Sequence, residues 1–205
     1  MKKAIILDLD NTIYDAPSIG EAVFAPIFQL IEDSDIPQER IPAIKADMMR
    51  KPFQVVAVQQ QFSPELTQKG IALLSEIDYQ GKIQAFSDYG EIKSLPVERF
   101  LVTTGFSKLQ YSKIRALGIE QDFKEVHVID PTNTNQTKQT VFADILERHH
   151  YTSTEVLVVG DDPESEIKAA IELGIEAVLY DKFNRYPSHQ SIPKVGDFKE
   201  LLHLL

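Results

Sequence analysis

Two carboxylates two positions apart, Asp8 and Asp10, follow directly on a short apolar run, Ala4 to Leu7. Acids rather than turn glycines at such a place suggest a site that handles a cation and, through it, an anion. Each could instead do no more than cap a turn, where Asp is common. Two later apolar runs end in comparable chemistry. Phe100 to Val102 leads into Thr103 and Thr104, and Val156 to Val159 leads into Gly160, Asp161 and Asp162. Three separate run ends bearing metal ligands or hydroxyl donors coincide by chance less readily than one.

The elements that must carry these residues can be read from periodicity. Ala4–Leu7 is a buried strand. From about Pro17 to Ile77 strand signals vanish. Val23, Phe24, Ile27, Phe28, Leu30 and Ile31 recur at near-helical spacing. A second helix holds Ile41, Ile44, Met48 and Met49 and is expected to end by Pro52. Ser63-Pro64-Glu65 reads as a helix start, with an N-cap, a proline in the first turn and an early acid. After Arg99 strands and helices alternate. Phe100–Val102, Glu125–Ile129, Glu155–Val159 and Glu176–Tyr180 are strands. Ser107–Leu117, Thr137–His150 and Pro163–Leu173 are helices, with Gly118 and Gly174 as C-terminal caps. Asp181–Gly196 has turn chemistry, and Phe198–Leu205 closes as a short helix. Regular alternation calls for a parallel sheet with right-handed crossovers, in which ligands bind at the carboxyl ends of the strands. The fold expected is therefore α/β, a Rossmann-like doubly wound sheet of about five strands. The helical block is too long for a simple crossover and reads as an inserted cap. The boundaries are 1–14 and 91–205 for the core and 15–90 for the cap.

Asp8-Leu-Asp10-Asn11-Thr12 resembles the first motif of the haloacid dehalogenase-like hydrolases, DxDxT. Val102-Thr103-Thr104-Gly105 is similar to their second motif, Lys138 stands in the place of the third, and Gly160-Asp161-Asp162-Pro-Glu-Ser-Glu166 resembles the acidic fourth. The resemblance implies a phosphatase that works through an aspartyl-phosphate with Mg²⁺. In it Asp8 is the nucleophile, and Asp10 protonates the leaving alcohol and later helps deprotonate water. Thr103, Thr104, Asn11, Thr12 and Lys138 face the phosphoryl group. The metal is held by Asp8, the backbone carbonyl of Asp10, Asp161 and, with even claim, Asp162. Glu166 replaces the usual final Asp and is placed behind the metal ligands. Lys108 and Lys113 are rivals of Lys138 for the phosphate-binding lysine. An acid at position 10 favours phosphomonoester hydrolysis over carbon–halogen cleavage, since halide leaves without a proton. A phosphonate hydrolase would need a cap lysine, and Lys45 and Lys51 read better as surface charges. Tyr14 and Asp15 are expected on a hinge above Asp8, and Arg50-Lys51 is a candidate contact for a second substrate anion. The first motif with Ile13 and Tyr14 is also similar to the pyrimidine nucleotidase-like branch, on too few residues to name a substrate.

Bulk properties narrow the partners. Lys and Arg number 21 against 31 Asp and Glu, a net charge of −10 across 205 residues. That balance disfavours nucleic acid and anionic membranes as partners. No cysteine is present, which removes disulfides and thiolate metal sites. The first apolar run is too short for a signal peptide and no stretch suits a bilayer span, so a cytoplasmic location is expected. His149 and His150 are expected to be exposed at a helix end, His127 lies in the third strand, and none has zinc spacing. The substrate class expected is a small phosphorylated metabolite, handled by a monomer or homodimer. A phosphotransferase or mutase with the same intermediate remains open, as does an idle binding protein, although the latter has no use for Asp10.

Overall fold

The computed structural model describes residues 1–49, 51–187 and 192–205. Strand β1, Ala4–Leu7, lies at the centre of a six-stranded sheet. Its neighbours are β2 (Glu98–Thr104) and β4 (Val156–Gly160). Beyond them lie β3 (Glu125–Ile129), β5 (Glu176–Tyr180) and β6 (Lys194–Val195). The order is β3-β2-β1-β4-β5-β6, with every pair parallel. The sixth strand was not expected: two residues within a stretch of turn chemistry carry no alternation from which to read a strand.

Parallel strands covered on both faces must be apolar throughout, and all four residues of β1 are buried. Ile5 and Leu7 join the packing on one face, shared with the helical block, while Ala4 and Ile6 join Phe142, Ile145 and Ile167 on the other. Lys2 secures the start of β1 across the sheet, its ammonium donating to the carbonyls of Thr154 and Val156 at 3.0 Å each.

The block between β1 and β2 begins with α1 (Pro17–Glu32), α2 (Ile41–Met48), α3 (Phe53–Gln59) and α4 (Pro64–Glu76). Pro52 does more than end a helix. With ψ 140° it is the extended residue from which α3, a helix too short to announce itself, departs. Ser63 caps α4 as its sequence predicts, accepting a bond from the amide of Leu66, worth about 1 kcal/mol. The chain returns through a bridge between Tyr14 and Ala85 and a bond from the Phe86 amide to the Ile13 carbonyl at 2.8 Å. The segments leading into and out of the block therefore lie side by side. A short helix, α5 (Tyr89–Ser94), then precedes β2.

Helices α6 (Ser107–Leu117) and α7 (Lys138–His149) follow β2 and β3. Gly118, at φ 67°, closes α6 in the left-handed conformation that its position predicts. Thr137 and Thr140 form a reciprocal capping box at the start of α7, which fixes Lys138 at its first position. The helix expected from Pro163 opens instead as a π-helical turn, Pro163–Ile167, before α8 (Lys168–Glu172). The closing segment is a 3₁₀ helix, Phe198–His203. His149 is half-buried rather than exposed: it meets the ring of Phe100 at 5.0 Å and the carboxylate of Glu125 at 2.6 Å.

Candidate active site

In this strand order the direction in which successive strands are added reverses between β1 and β4, and a crevice opens at their carboxyl ends. Asp8 follows β1, and its amide still donates to Val159 of β4 at 3.1 Å, so the residue is held by the sheet ladder itself. Its carboxylate is buried and accepts from the Lys138 ammonium at 2.6 Å. The same ammonium donates to Glu166 at 2.6 Å. Lys138, on the first turn of α7, is thus buried between two acids. Lys113 goes elsewhere, to Asp10, and Lys108 pairs with Glu76 at the surface.

Glu166 reaches this position through two local features. The π-helical turn carries its side chain back toward β4, where its other oxygen accepts from the Asp162 amide at 2.7 Å. Gly160 makes the room, since a Cβ there would lie 2.1 Å from a Glu166 carboxylate oxygen. One oxygen each from Asp8, Asp161 and Glu166 then lie within 4.8 Å of one another. Glu166, expected behind the metal ligands, is a full member of this group. Asp162, with an even claim as ligand or as cap, stands outside it and caps the turn by accepting from the Glu164 amide at 2.9 Å.

Three carboxylates crowd beside one buried ammonium, which bonds two of them. Burial, with Glu166 nearby and against the pull of Lys138, pushes Asp8 up to about 7. Burial and the charges of Asp8 and Glu166 push Asp161 up to about 8. Burial works against the charge on Lys138, yet the two acids outweigh it and hold the ammonium protonated far above its ordinary range. A cluster of hard oxygen donors with uncompensated negative charge suits a small divalent cation such as Mg²⁺, which takes one or more carboxylates and completes its shell with water or phosphate oxygens.

A second cluster surrounds Asp10. Its carboxylate accepts from the Lys113 ammonium at 2.9 and 3.2 Å, from Gln110 at 2.9 Å and from the Tyr14 hydroxyl. Burial would raise this acid, but Lys113, Tyr14 and Gln110 together hold it below its usual range. Gln110 also donates to the Thr103 hydroxyl at 2.7 Å, which ties the ends of β1 and β2 together. Tyr14 is fully buried against Asp10, on the segment that bridges to Ala85.

The remaining expected residues divide. Thr103 is buried in the crevice and Thr104 is exposed beside it. Asn11 turns the chain in the left-handed region at φ 59°, its side-chain oxygen accepting from the Ala16 amide at 3.3 Å. Thr12, expected to face substrate, is 0 % exposed, so a solute cannot touch it. Lys51 pairs with Asp47 at 2.9 Å and Lys45 with Glu32 at 2.5 Å, while Arg50 lies outside the described residues.

Gln110 was not foreseen, and Lys113 was weighed only as a phosphate ligand. Their signal was present: two polar residues three apart on a helix whose neighbours Leu109 and Ile114 are core. Asp130 was also missed. Buried at the end of β3, it accepts from the Ser107 amide at 2.8 Å, the Thr132 amide at 3.0 Å, the Thr132 hydroxyl at 2.6 Å and Asn133 at 3.1 Å. It thereby fixes the turn that follows Thr104.

The family model for haloacid dehalogenase-like hydrolases matches residues 5–180. A glyceraldehyde 3-phosphate phosphatase from Methanocaldococcus jannaschii is 24 % identical over 87 % of this chain and 84 % of its own. A ribulose-1,5-bisphosphate 5-phosphatase from Halopiger xanaduensis is 22 % identical over 99 % of this chain and 95 % of its own. Among solved structures, the magnesium-bound Bacillus subtilis protein YfnB shares the fold with a TM-score of 0.70 at 18 % identity, covering 100 % of this chain and 98 % of that one.

Proposed function

The chain belongs to the haloacid dehalogenase-like hydrolases, and we propose that within them it is a Mg²⁺-dependent phosphomonoesterase. It acts on a small phosphorylated metabolite through an aspartyl-phosphate formed on Asp8. The observation that carries this reading is the switch-point crevice itself. There a buried carboxylate, Asp8, stands beside a buried lysine and two further acids, and a second acid two residues later has partners of its own. Relatives that are phosphatases of small phosphorylated metabolites agree with it.

Asp8, Asp161 and Glu166, with the backbone carbonyl of Asp10, would hold the metal. When bound, Mg²⁺ supplies the positive charge that offsets repulsion between a phosphate ester and the carboxylates. The work of the chain's own residues follows from their places. Asp8 attacks phosphorus, the new carboxyl oxygen–phosphorus bond forming as the bond to the leaving oxygen breaks. Lys138 favours the ionised form of Asp8 against the effect of burial and faces the charge that accumulates on the phosphoryl oxygens. Thr103, oriented by Gln110, offers a hydroxyl at the same edge.

Asp10 arrives as a carboxylate because Lys113 holds it so. In the first half-reaction it passes to the leaving oxygen a proton taken up from solvent. In the second it takes one from the water that attacks the phosphoryl group on Asp8. Residues 15–90 serve as the cap and 1–14 with 91–205 as the catalytic core. The pinned pair of connecting segments at Tyr14 and Ala85 is the natural pivot between them.

Asp8→Asn keeps the shape of the side chain and removes the nucleophile. We expect phosphate release from p-nitrophenyl phosphate to fall to background in Mg²⁺ with an unchanged circular dichroism spectrum. Full turnover by that variant would sink the mechanism, and a phosphorylated acceptor in place of free phosphate would redirect it to phosphoryl transfer.

A further inference from the structure

The loop that leaves β5 carries a basic and aromatic arm beside the acid cluster. Its shape is set by Asp181, which is buried at the strand end. That carboxylate accepts from the amides of Arg185 at 2.6 Å and Tyr186 at 3.0 Å, and Lys194 approaches it at 3.3 Å. Asn184, at φ 51°, completes the turn. Charge-assisted bonds from one acid to two consecutive amides leave this loop little freedom.

The loop presents an exposed aromatic ring beside a guanidinium. Phe183 is 51 % exposed, although its ring meets Phe86 edge-on at 5.8 Å. Phe86 lies on the segment returning from the helical block, so the arm stands where core and block meet. The Arg185 guanidinium lies 5.2 Å from the Phe183 ring and reaches Asp161 at 3.7 Å.

The cations around the crevice differ in their commitments. Lys138 is held by Asp8 and Glu166, Lys113 by Asp10, and Lys182 by Asp88 at 3.0 Å. Among the described residues Arg185 has one long ion pair and its contact with the Phe183 ring, and 40 % of its side chain is exposed. A guanidinium carries five donors in a fork that matches carboxylate or phosphate oxygens, so most of its capacity is unspent. Its acidic partner among the described residues, Asp161, is also one that a divalent cation would claim, which would release the arginine toward solvent.

We propose that Arg185 and Phe183 form a specificity site for the leaving part of the substrate. Arg185 takes a second anionic group, carboxylate or phosphate, and Phe183 covers the carbon skeleton between that group and the ester. The substrate class is a phosphomonoester with a second oxyanion a few atoms from the scissile phosphate. This rests on the phosphomonoesterase reading and adds the discriminating residue, which lies on the core rather than in the helical block.

Two measurements test it. First, kcat and KM are compared for wild type, Arg185→Gln, Arg185→Lys and Phe183→Ala. The substrates are 2-phosphoglycolate, a sugar bisphosphate, glycerol 3-phosphate and p-nitrophenyl phosphate. For Arg185→Gln we expect KM to rise about tenfold or more on whichever second-anion substrates the wild type prefers. kcat should change little, and the two substrates without a second anion should shift less than about threefold by the same reasoning. Arg185→Lys should recover part of the loss, and the carboxylate and phosphate arms show which anion is read.

Second, calorimetry in Mg²⁺ on Asp8→Asn, with and without Arg185→Gln, gives affinities for 2-phosphoglycolate and ethyl phosphate without turnover. Selective loss for 2-phosphoglycolate supports the site. Equal effects on all ligands, or none, overturn it even if the protein is a phosphatase. If the wild type hydrolyses no phosphate ester, the functional reading fails, and the calorimetric comparison still decides the role of Arg185.

Discussion

Asp161→Asn should make the metal-free protein more stable while removing most of its response to Mg²⁺. Raising an aspartate from its ordinary value near 3.8 to about 8 means that, at pH 7, ionisation is opposed in the folded chain by at most about 4 kcal/mol. Solvent reaches 18 % of the side chain and Arg185 stands 3.7 Å away, so screening reduces the expected gain on substitution to about 1–3 kcal/mol. The sign follows from the direction of the shift. A carboxyl that binds its proton more tightly when folded contributes stability below about pH 4 and loses it as pH climbs toward about 8. Asparagine does not titrate, so the gap between variant and wild type should widen across that window. Thermal unfolding in EDTA at pH 5, 6, 7 and 8 reads this directly, at about 2–4 °C per kcal/mol for a chain of this size. At a Mg²⁺ concentration of about 100 times Kd the wild type should gain about 2.7 kcal/mol, and the variant much less. A gap independent of pH, or an equal gain from Mg²⁺, would refute the picture of three acids crowded around one lysine.

Other outcomes follow from single contacts. Lys138→Met leaves Asp8 and Glu166 buried without their shared cation, and should lower stability in urea by about 3–5 kcal/mol at pH 8. Gly160→Ala places a methyl group 2.1 Å from the Glu166 carboxylate. Its spectrum should stay native-like while calorimetric Mg²⁺ binding weakens, because Glu166 must leave Lys138. Asp130→Ala strands the amides of Ser107 and Thr132 at the turn after β2. It should cost about 2–4 kcal/mol in urea unfolding and reduce activity through the displaced turn.

Much of the fold was readable because parallel strands are apolar runs bounded by turns, and four of these stand out between Arg99 and Tyr180. Asp8 and Asp161 were readable for the same reason, since each is the first acid beyond a run. Ser63, Thr137 and Gly118 announce helix ends by chemistry that depends only on neighbours in sequence. What escaped depends on distant partners. The two residues of β6 become a strand only because β5 lies beside them. Gln110 and Lys113 look like surface residues of α6 until β1 delivers Asp10 to them. Glu166 rather than Asp162 joins the oxygen cluster because a π-helical turn adds a residue to the spacing that an α-helix would impose. Thr12 follows the motif acids in sequence but turns into the core, a direction the backbone at Asn11 decides.

The central place of β1 has a consequence for how the chain comes into being. It can pair early with β2, but its other neighbour, β4, lies about 150 residues further on. At roughly 5–20 residues per second of synthesis, the first strand waits roughly 8–30 s for that edge. The closure that ends the wait brings Asp161 and Glu166 against Asp8, so the docking of β4 on β1 is also where the repulsion among these acids arises. A divalent cation present then would ease assembly by the same charge that the proposed mechanism assigns to it, and refolding from urea should run faster with Mg²⁺ than without it.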